Sequence, residues 1–166
     1  MGKILNWLKW RIWWLITPKF NQGVFVVVFE RDIDSDYVLV VQKRLGVGGT
    51  NNYTLPGGAR KYKENLQEAG IRELWEETRI LFSGEDLILI DVYSRPYSRD
   101  QQVVFWCDVD RVDLPKVINP SFEIAMVQKI DINDVDLFMR GNDDHISMTL
   151  DAYEFFENRY GPHRLN

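Results

Sequence analysis

The sequence predicts a one-domain α/β protein in which strands and helices alternate along the chain, and three observations carry that reading. β-Branched runs of strand length recur, as in "GVFVVVFE" and "YVLVVQKR". Between these and later runs of the same kind lies a stretch with helical spacing, apolar on one side and acidic on the other. The 166 residues, 45% hydrophobic and 27% charged, suffice for a single domain with its own core.

The chain opens on a different kind of segment. Residues 1–20, "MGKILNWLKWRIWWLITPKF", contain Lys3, Lys9, Arg11 and Lys19 and no acid; the whole chain carries −5, so the remainder carries −9 (−5 minus +4). Lys9 and Arg11 interrupt an apolar stretch already short of the roughly 20 residues that a bilayer span needs. "ITPKFNQG" offers no small-residue cleavage site of the signal-peptide kind. Pro18 and Gly23 mark a boundary, dividing the chain into a Trp-rich helical extension, 1–20, and a domain, 21–166. In residues 1–16 the cations scatter around the helical wheel, leaving no clean polar face. Trp7, Trp10, Trp13 and Trp14 beside the cations suit peripheral attachment at the inner membrane surface. They suit equally a helix packed on the domain or across a homodimer, and both readings stand.

"GVFVVVFE" (23–30) and "YVLVVQKR" (37–44) are expected to be strands of a hairpin turned by "RDIDSD". "GVGGTNN" (46–52) is a loop whose glycines match no complete phosphate-binding spacing. After the acidic helix come three more strand-like runs, "DLILIDVYS" (86–94), "QQVVFWCDVD" (101–110) and "EIAMVQKI" (123–130). Two helical patterns follow, "NDVDLFMR" (133–140) and "ISMTLDAYEFFENRY" (146–160), the second closed by Gly161 and Pro162. The single Cys107 has no disulfide partner, and His145 and His163 with it are too few for a Cys/His zinc site. A reducing, cytoplasmic setting fits this usage. The net charge of −5 argues against a general nucleic-acid-binding surface.

The acidic helix lies in "GGARKYKENLQEAGIRELWEETRI" (57–80). At about 100° per residue, Glu73, Glu76 and Glu77 share one face. Ala69 and Gly70 lie on that face one turn earlier, where their size is expected to leave open space. Ile71, Leu74, Trp75 and Thr78 are expected to face the core. Like charges at this spacing cost an isolated helix about 0.2–0.5 kcal/mol per pair. Arg72 can reach Glu76 at i+4 and Glu64 across a bend, yet one guanidinium does not neutralise the cluster. Carboxylates without imidazole or thiolate companions are the donors hard divalent cations select, so the pattern points to Mg2+, with Mn2+ as a substitute.

The spacing Gly58, five residues, Glu64, seven residues, then "RELWEETRI" from Arg72 to Ile80, preceded by "YTLPGG", resembles the Nudix box, G-x5-E-x7-R-E-U-x-E-E-x-G-U with U aliphatic; eight of its nine specified positions match. The resemblance extends over about residues 23–160. It implies the Nudix fold, a mixed sheet sandwiched between helices (α/β/α), and hydrolysis of a nucleoside diphosphate linked to another moiety. It further implies that Glu73, Glu76 and Glu77 hold the metal, that Gly57 lends a backbone carbonyl, and that Arg72 and Glu64 orient the acids by an ion pair. Glu123 is the best-placed later glutamate for metal binding or for the catalytic base, with Glu76 the other candidate base. Arg79 stands where the box has a glycine suited to a left-handed helix end. A non-glycine there costs about 1 kcal/mol, so the helix is expected to run on or end differently.

Arg44, Arg60 and Lys63 are candidate phosphate contacts. In "YSRPYSRD" (93–100), Arg95 could meet a phosphate and Tyr97 could stack on a base. Pro96, 16 residues after Ile80, resembles the pattern of ADP-ribose hydrolases, and Tyr97, 17 after, that of dinucleoside polyphosphate hydrolases. The implied substrates are therefore ADP-ribose, a dinucleoside polyphosphate or a nucleotide sugar. Two readings of other classes stand beside this one: a non-catalytic nucleotide-binding module, and a membrane- or partner-binding protein acting through residues 1–20.

Overall fold

β1 (Asn21–Arg31) is the strand around which the others are arranged. The computed structural model describes residues 21–31, 35–43, 53–83, 86–94, 100–109 and 124–161; the Trp-rich segment 1–20 lies outside them. β2 (Asp36–Lys43) returns antiparallel, with Phe29 opposite Val38, as the expected hairpin requires. β3 (Tyr53–Thr54) pairs with β2, and β4 (Gly57–Ala59) with the N-terminal part of β1. β5 (Ile88–Ser94) and β6 (Asp100–Val109) pair antiparallel, and β6 runs parallel to β1 along nearly its whole length. β7 (Ile124–Asp131) closes on the other edge of β2. The result is one mixed seven-stranded sheet, ordered β3-β2-β1-β6-β5 with β4 beside β1 and β7 beside β2.

The central strands β1 and β6 carry unbroken apolar runs, residues 24–29 and 103–107, because both faces of the sheet are covered there. Val24, Val26, Val28, Val103, Phe105 and Cys107 face the helix α1 (Leu66–Thr78) together with its Ala69 and Leu74. The alternate positions Val27, Phe29, Val104 and Trp106 face the helix α3 (Asp143–Tyr160), which contributes Met148, Ala152 and Phe156. Period-two alternation therefore feeds two cores, and the α/β/α sandwich is present. Each buried Val, Leu or Phe stabilises by about 1.5–3 kcal/mol before entropy is subtracted. A polar latch ties α3 to the hairpin: buried Asp36 accepts from Arg31 Nε at 3.2 Å and from the Tyr153 hydroxyl at 2.9 Å. Among the described residues no helix is long and apolar enough to cross a membrane.

The structure corrects several expectations. "YTLPGG" is not only an approach to the helix but contains two short strands, too brief to show as periodicity. "NDVDLFMR" yields only a 3-10 turn (Ile132–Asp134) and a four-residue helix, α2 (Val135–Phe138), after which Gly141 adopts a φ of 84°. Ala69 and Gly70 do not open a space. They are buried, and a Cβ on Gly70 would come within 3.3 Å of Leu87 and Val26, so their small size lets α1 sit close on β1. Trp75, expected in the core, is 43% exposed.

That exposure is linked to the helix end. α1 stops at Thr78, and Arg79 takes the left-handed conformation (φ 62°, ψ 15°) that a glycine would take, its N–H donating to the Trp75 carbonyl at 3.0 Å. Its guanidinium lies 4.6 Å from the centre of the Trp75 ring. The helix thus ends on schedule without glycine, and the cation–π contact offsets part of the backbone strain. Arg79→Ala keeps the strain and loses the contact, so it is expected to destabilise by about 0.5–1 kcal/mol. Arg79→Gly relieves the strain but frees the unfolded chain, leaving stability within about 0.5 kcal/mol of the parent. Urea unfolding checks the order; an alanine variant more stable than the glycine variant would contradict the account.

Candidate active site

The acids are placed by the start of α1 and by the strand beneath it. Asn65 caps the helix: its side chain accepts the Glu68 N–H, and its own N–H donates to the Glu68 carboxylate, both at 2.8 Å. This reciprocal pair fixes where the helix begins and therefore which way Arg72, Glu73, Glu76 and Glu77 project. Beneath them β4 passes so close that side chains are excluded. A Cβ on Gly57 would stand 2.3 Å from the Val24 carbonyl oxygen, and one on Gly58 would stand 2.6 Å from the Glu73 carboxylate.

Glu77, only 4% exposed, accepts the Gly57 N–H at 2.9 Å, so a buried carboxylate is satisfied by the backbone of β4. Glu73 lies over Gly58. Glu76 points away from that floor, accepting from Arg72 at 3.1 Å and from Lys61 Nζ at 3.2 Å. Arg72 joins the group: it donates to Glu64 at 2.5 and 3.0 Å, to Glu73 at 2.7 Å, to Glu76, and to the Ala59 carbonyl at 3.0 Å. Its hydrogen bonds are the main reason the Glu64 carboxyl is held down at about 2, the Lys61 N–H adding to the effect.

The structure thus brings together Gly57, Arg72, Glu73, Glu76 and Glu77, with Glu64 as the anchor of Arg72. The donors are oxygens alone, which suits a hard divalent cation, and the missing Cβ of Gly58 makes room for the Glu73 carboxylate at the strand. As the side chains stand, Arg72 bridges Glu64, Glu73 and Glu76 and Lys61 meets Glu76, and among the described residues no three acidic, His or Cys side chains converge on one point. Arg60 donates to the Glu64 carbonyl at 2.8 Å, bracing the loop that leads into α1. Lys63, at a φ of 73°, lies over the ring of Tyr62. Arg44, Arg95, Tyr97 and Glu123 lie outside the described residues. Sequence reasoning missed Lys61; the dense "RKYK" run before Glu64 was the available signal, but only the loop geometry shows that one of its cations reaches Glu76.

The family model of the NUDIX domain matches residues 19–151. A "Putative 8-oxo-dGTP diphosphatase" from Bacillus subtilis (strain 168) is 32% identical over 87 residues, a match spanning about half of each chain, 52% of either. Among solved structures, the NUDIX domain of Shewanella oneidensis NrtR complexed with ADP ribose superposes with a TM-score of 0.69 at 20% identity, covering 86% of this chain and 91% of that one. A Caenorhabditis elegans Ap4A hydrolase in a binary complex gives a TM-score of 0.63 at 16% identity, covering 83% and 98%. At such identities the structural matches establish the fold.

The Arg72 cluster has a pH signature. Because Glu64 titrates lower in the folded state than the usual 4.5, its pairing stabilises fully above about pH 4.5 and is lost as pH falls towards about 2. Glu64→Gln is therefore expected to lower the melting temperature at pH 7 and to flatten its decline between pH 4.5 and 2. Calorimetry across that range checks this, and parallel curves for the two proteins would contradict it.

Proposed function

The chain belongs to the NUDIX family, and from that premise we infer that it hydrolyses the diphosphate linkage of a nucleoside diphosphate joined to another moiety, with Mg2+ as cofactor and Mn2+ as substitute. The observation that carries this reading is the gathering of Glu73 and Glu77 on the Gly57–Gly58 backbone, with Glu76 beside them and Arg72 spanning Glu64, Glu73 and Glu76. Glu73, Glu76, Glu77 and the Gly57 carbonyl would hold the metal. When bound, the cation supplies positive charge that draws a diphosphate to an acidic face and acidifies water for attack on phosphorus.

The chain's own part is placement and proton transfer. Arg72 offsets the repulsion among Glu64, Glu73 and Glu76 by pairing with all three. Glu76, whose side chain is 40% exposed, would take a proton from the attacking water. Glu123 is the alternative base. Arg44 and Arg60 would meet phosphate oxygens, and Arg95 and Tyr97 would bind the far end of the substrate, the guanidinium at a phosphate and the ring against a base. The named relatives concern 8-oxo-dGTP, ADP ribose and Ap4A. Their shared chemistry is a phosphoanhydride next to a nucleoside, which fits ADP-ribose, a dinucleoside polyphosphate or a nucleotide sugar here.

Purified protein assayed against nucleotide sugars, ADP-ribose, dinucleoside polyphosphates and nucleoside triphosphates, with Mg2+ or Mn2+, tests activity and substrate together. Binding without turnover across that panel would replace hydrolysis by a nucleotide-binding role. Glu77→Gln is expected to lower kcat/KM by about 100-fold or more while the fold survives, since the amide oxygen can still accept from Gly57. Parental turnover with parental metal affinity would remove Glu77 from the site. Tyr97→Ala and Arg95→Ala are expected to raise KM about tenfold, or to reorder the substrates, without changing the metal requirement; unchanged kinetics on every substrate would assign both residues to structure alone.

A further inference from the structure

β5 is the outer strand of the sheet beyond β6, and α3 packs beside it. Along the seam between them runs a groove in two parts that share Tyr93. The first, about 200 Å3, lies at the start of β6 and carries Asp100 and Asp144. The second, about 340 Å3, lies farther along α3 and sets Asp91, Asp151 and Glu154 around Ile90, Tyr93 and Phe155. α3 contributes Asp144, Ser147, Asp151, Glu154 and Asn158. They are spaced three and four apart, so a single stripe of the helix lines the groove for about 21 Å. The lining residues described include five carboxylates and no Lys or Arg. Phe155 is 54% exposed there, an apolar ring between acids.

The chain supplies an occupant of matching chemistry. β1 begins at Asn21, whose side-chain amide donates to Asp100 at 3.2 Å, so residues 1–20 join the fold at the mouth of the first cavity. They carry four cations, no acid and four tryptophans. Indole rings suit an apolar floor, and ammonium and guanidinium groups suit a carboxylate rim. The lengths agree as well: residues 1–16 as a helix would measure about 24 Å, against the groove's ~21 Å, leaving 17–20 to turn at Pro18.

We propose that residues 1–16 dock in the groove between β5 and α3 of their own domain, tryptophans against Ile90, Tyr93 and Phe155, cations against Asp91, Asp144, Asp151 and Glu154. The docking uses none of the α1 acids and stands independently of the hydrolytic activity.

Carbodiimide coupling of the full-length protein tests this, because a zero-length reagent joins only an amine and a carboxylate already in contact. A dilute equal mixture of unlabelled and 15N-labelled protein is coupled, digested and analysed by mass. The expected products are same-molecule amides from Lys3 or Lys9 to Asp91, Asp144, Asp151 or Glu154. Their yield is expected to fall about fivefold or more in Asp91→Lys/Glu154→Lys and in high salt. Both substituted positions are exposed, so the fold should survive, as an unchanged unfolding curve would verify. Amides formed only between labelled and unlabelled copies would overturn the proposal in favour of exchange across a dimer. Absence of amides would overturn it too, and sedimentation with phosphatidylserine-containing vesicles, equal for parent and double variant, would then assign the segment to a membrane surface.

Discussion

Everything around the acids depends on how closely β4 lies between β1 and α1. At Gly57 the strand approaches the β1 backbone too nearly for a side chain, and at Gly58 it approaches Glu73 in the same way. Gly70 and Ala69 are the complementary concession on the helix, allowing α1 to settle onto Val24 and Val26. With these distances set, the Gly57 N–H falls within reach of Glu77, and a carboxylate that would otherwise cost several kcal/mol to bury unpartnered is satisfied.

The electrostatic consequence is a division of labour among the glutamates. Glu77 is fixed by backbone, Glu64 by Arg72, and Glu76 by side chains exposed enough to rearrange. Arg72 has the planar fork needed to serve three carboxylates and a carbonyl at once, which a lysine could not do. The exposed Lys61–Glu76 pair contributes little stability by itself, on the order of 1 kcal/mol or less. It leaves Glu76 the easiest of the acids to redirect.

The two faces of the sheet differ in kind although the same strands build both. On one face α1 presents acids to β4; on the other, α3 closes a core of large side chains, where Phe29 meets Tyr153 and Phe156 tilted, Trp106 meets Phe156 edge to face, and Tyr153 and Phe156 stack. The Asp36, Arg31 and Tyr153 latch anchors the C-terminal part of α3 to the hairpin, while the outward stripe of the same helix carries the acids beside β5. Residues 57–80 balance five glutamates with five Lys and Arg, whereas the described lining of the seam gathers five carboxylates and no Lys or Arg, so the two acidic places differ in net charge.

The sequence by itself determined the α/β class, the β1–β2 hairpin, the long strands and the identity of the acidic helix, because these rest on local periodicity and on a spacing of residues within one segment. It also determined that Arg72 can reach Glu64 and Glu76, since both lie within two turns of the helix or its lead-in. Only the tertiary structure decided that Ala69 and Gly70 are contact points, not open space, because that depends on what the sheet places opposite them. Likewise the structure shows that the side of α1 turned to the sheet carries Ala69, Gly70, Leu74, Glu77 and Thr78, which leaves Trp75 outside the core, where the Arg79 guanidinium lies against its ring. β3 and β4 are two and three residues long and owe their existence to partners on β2 and β1. A strand made by its neighbours has no signature of its own to read.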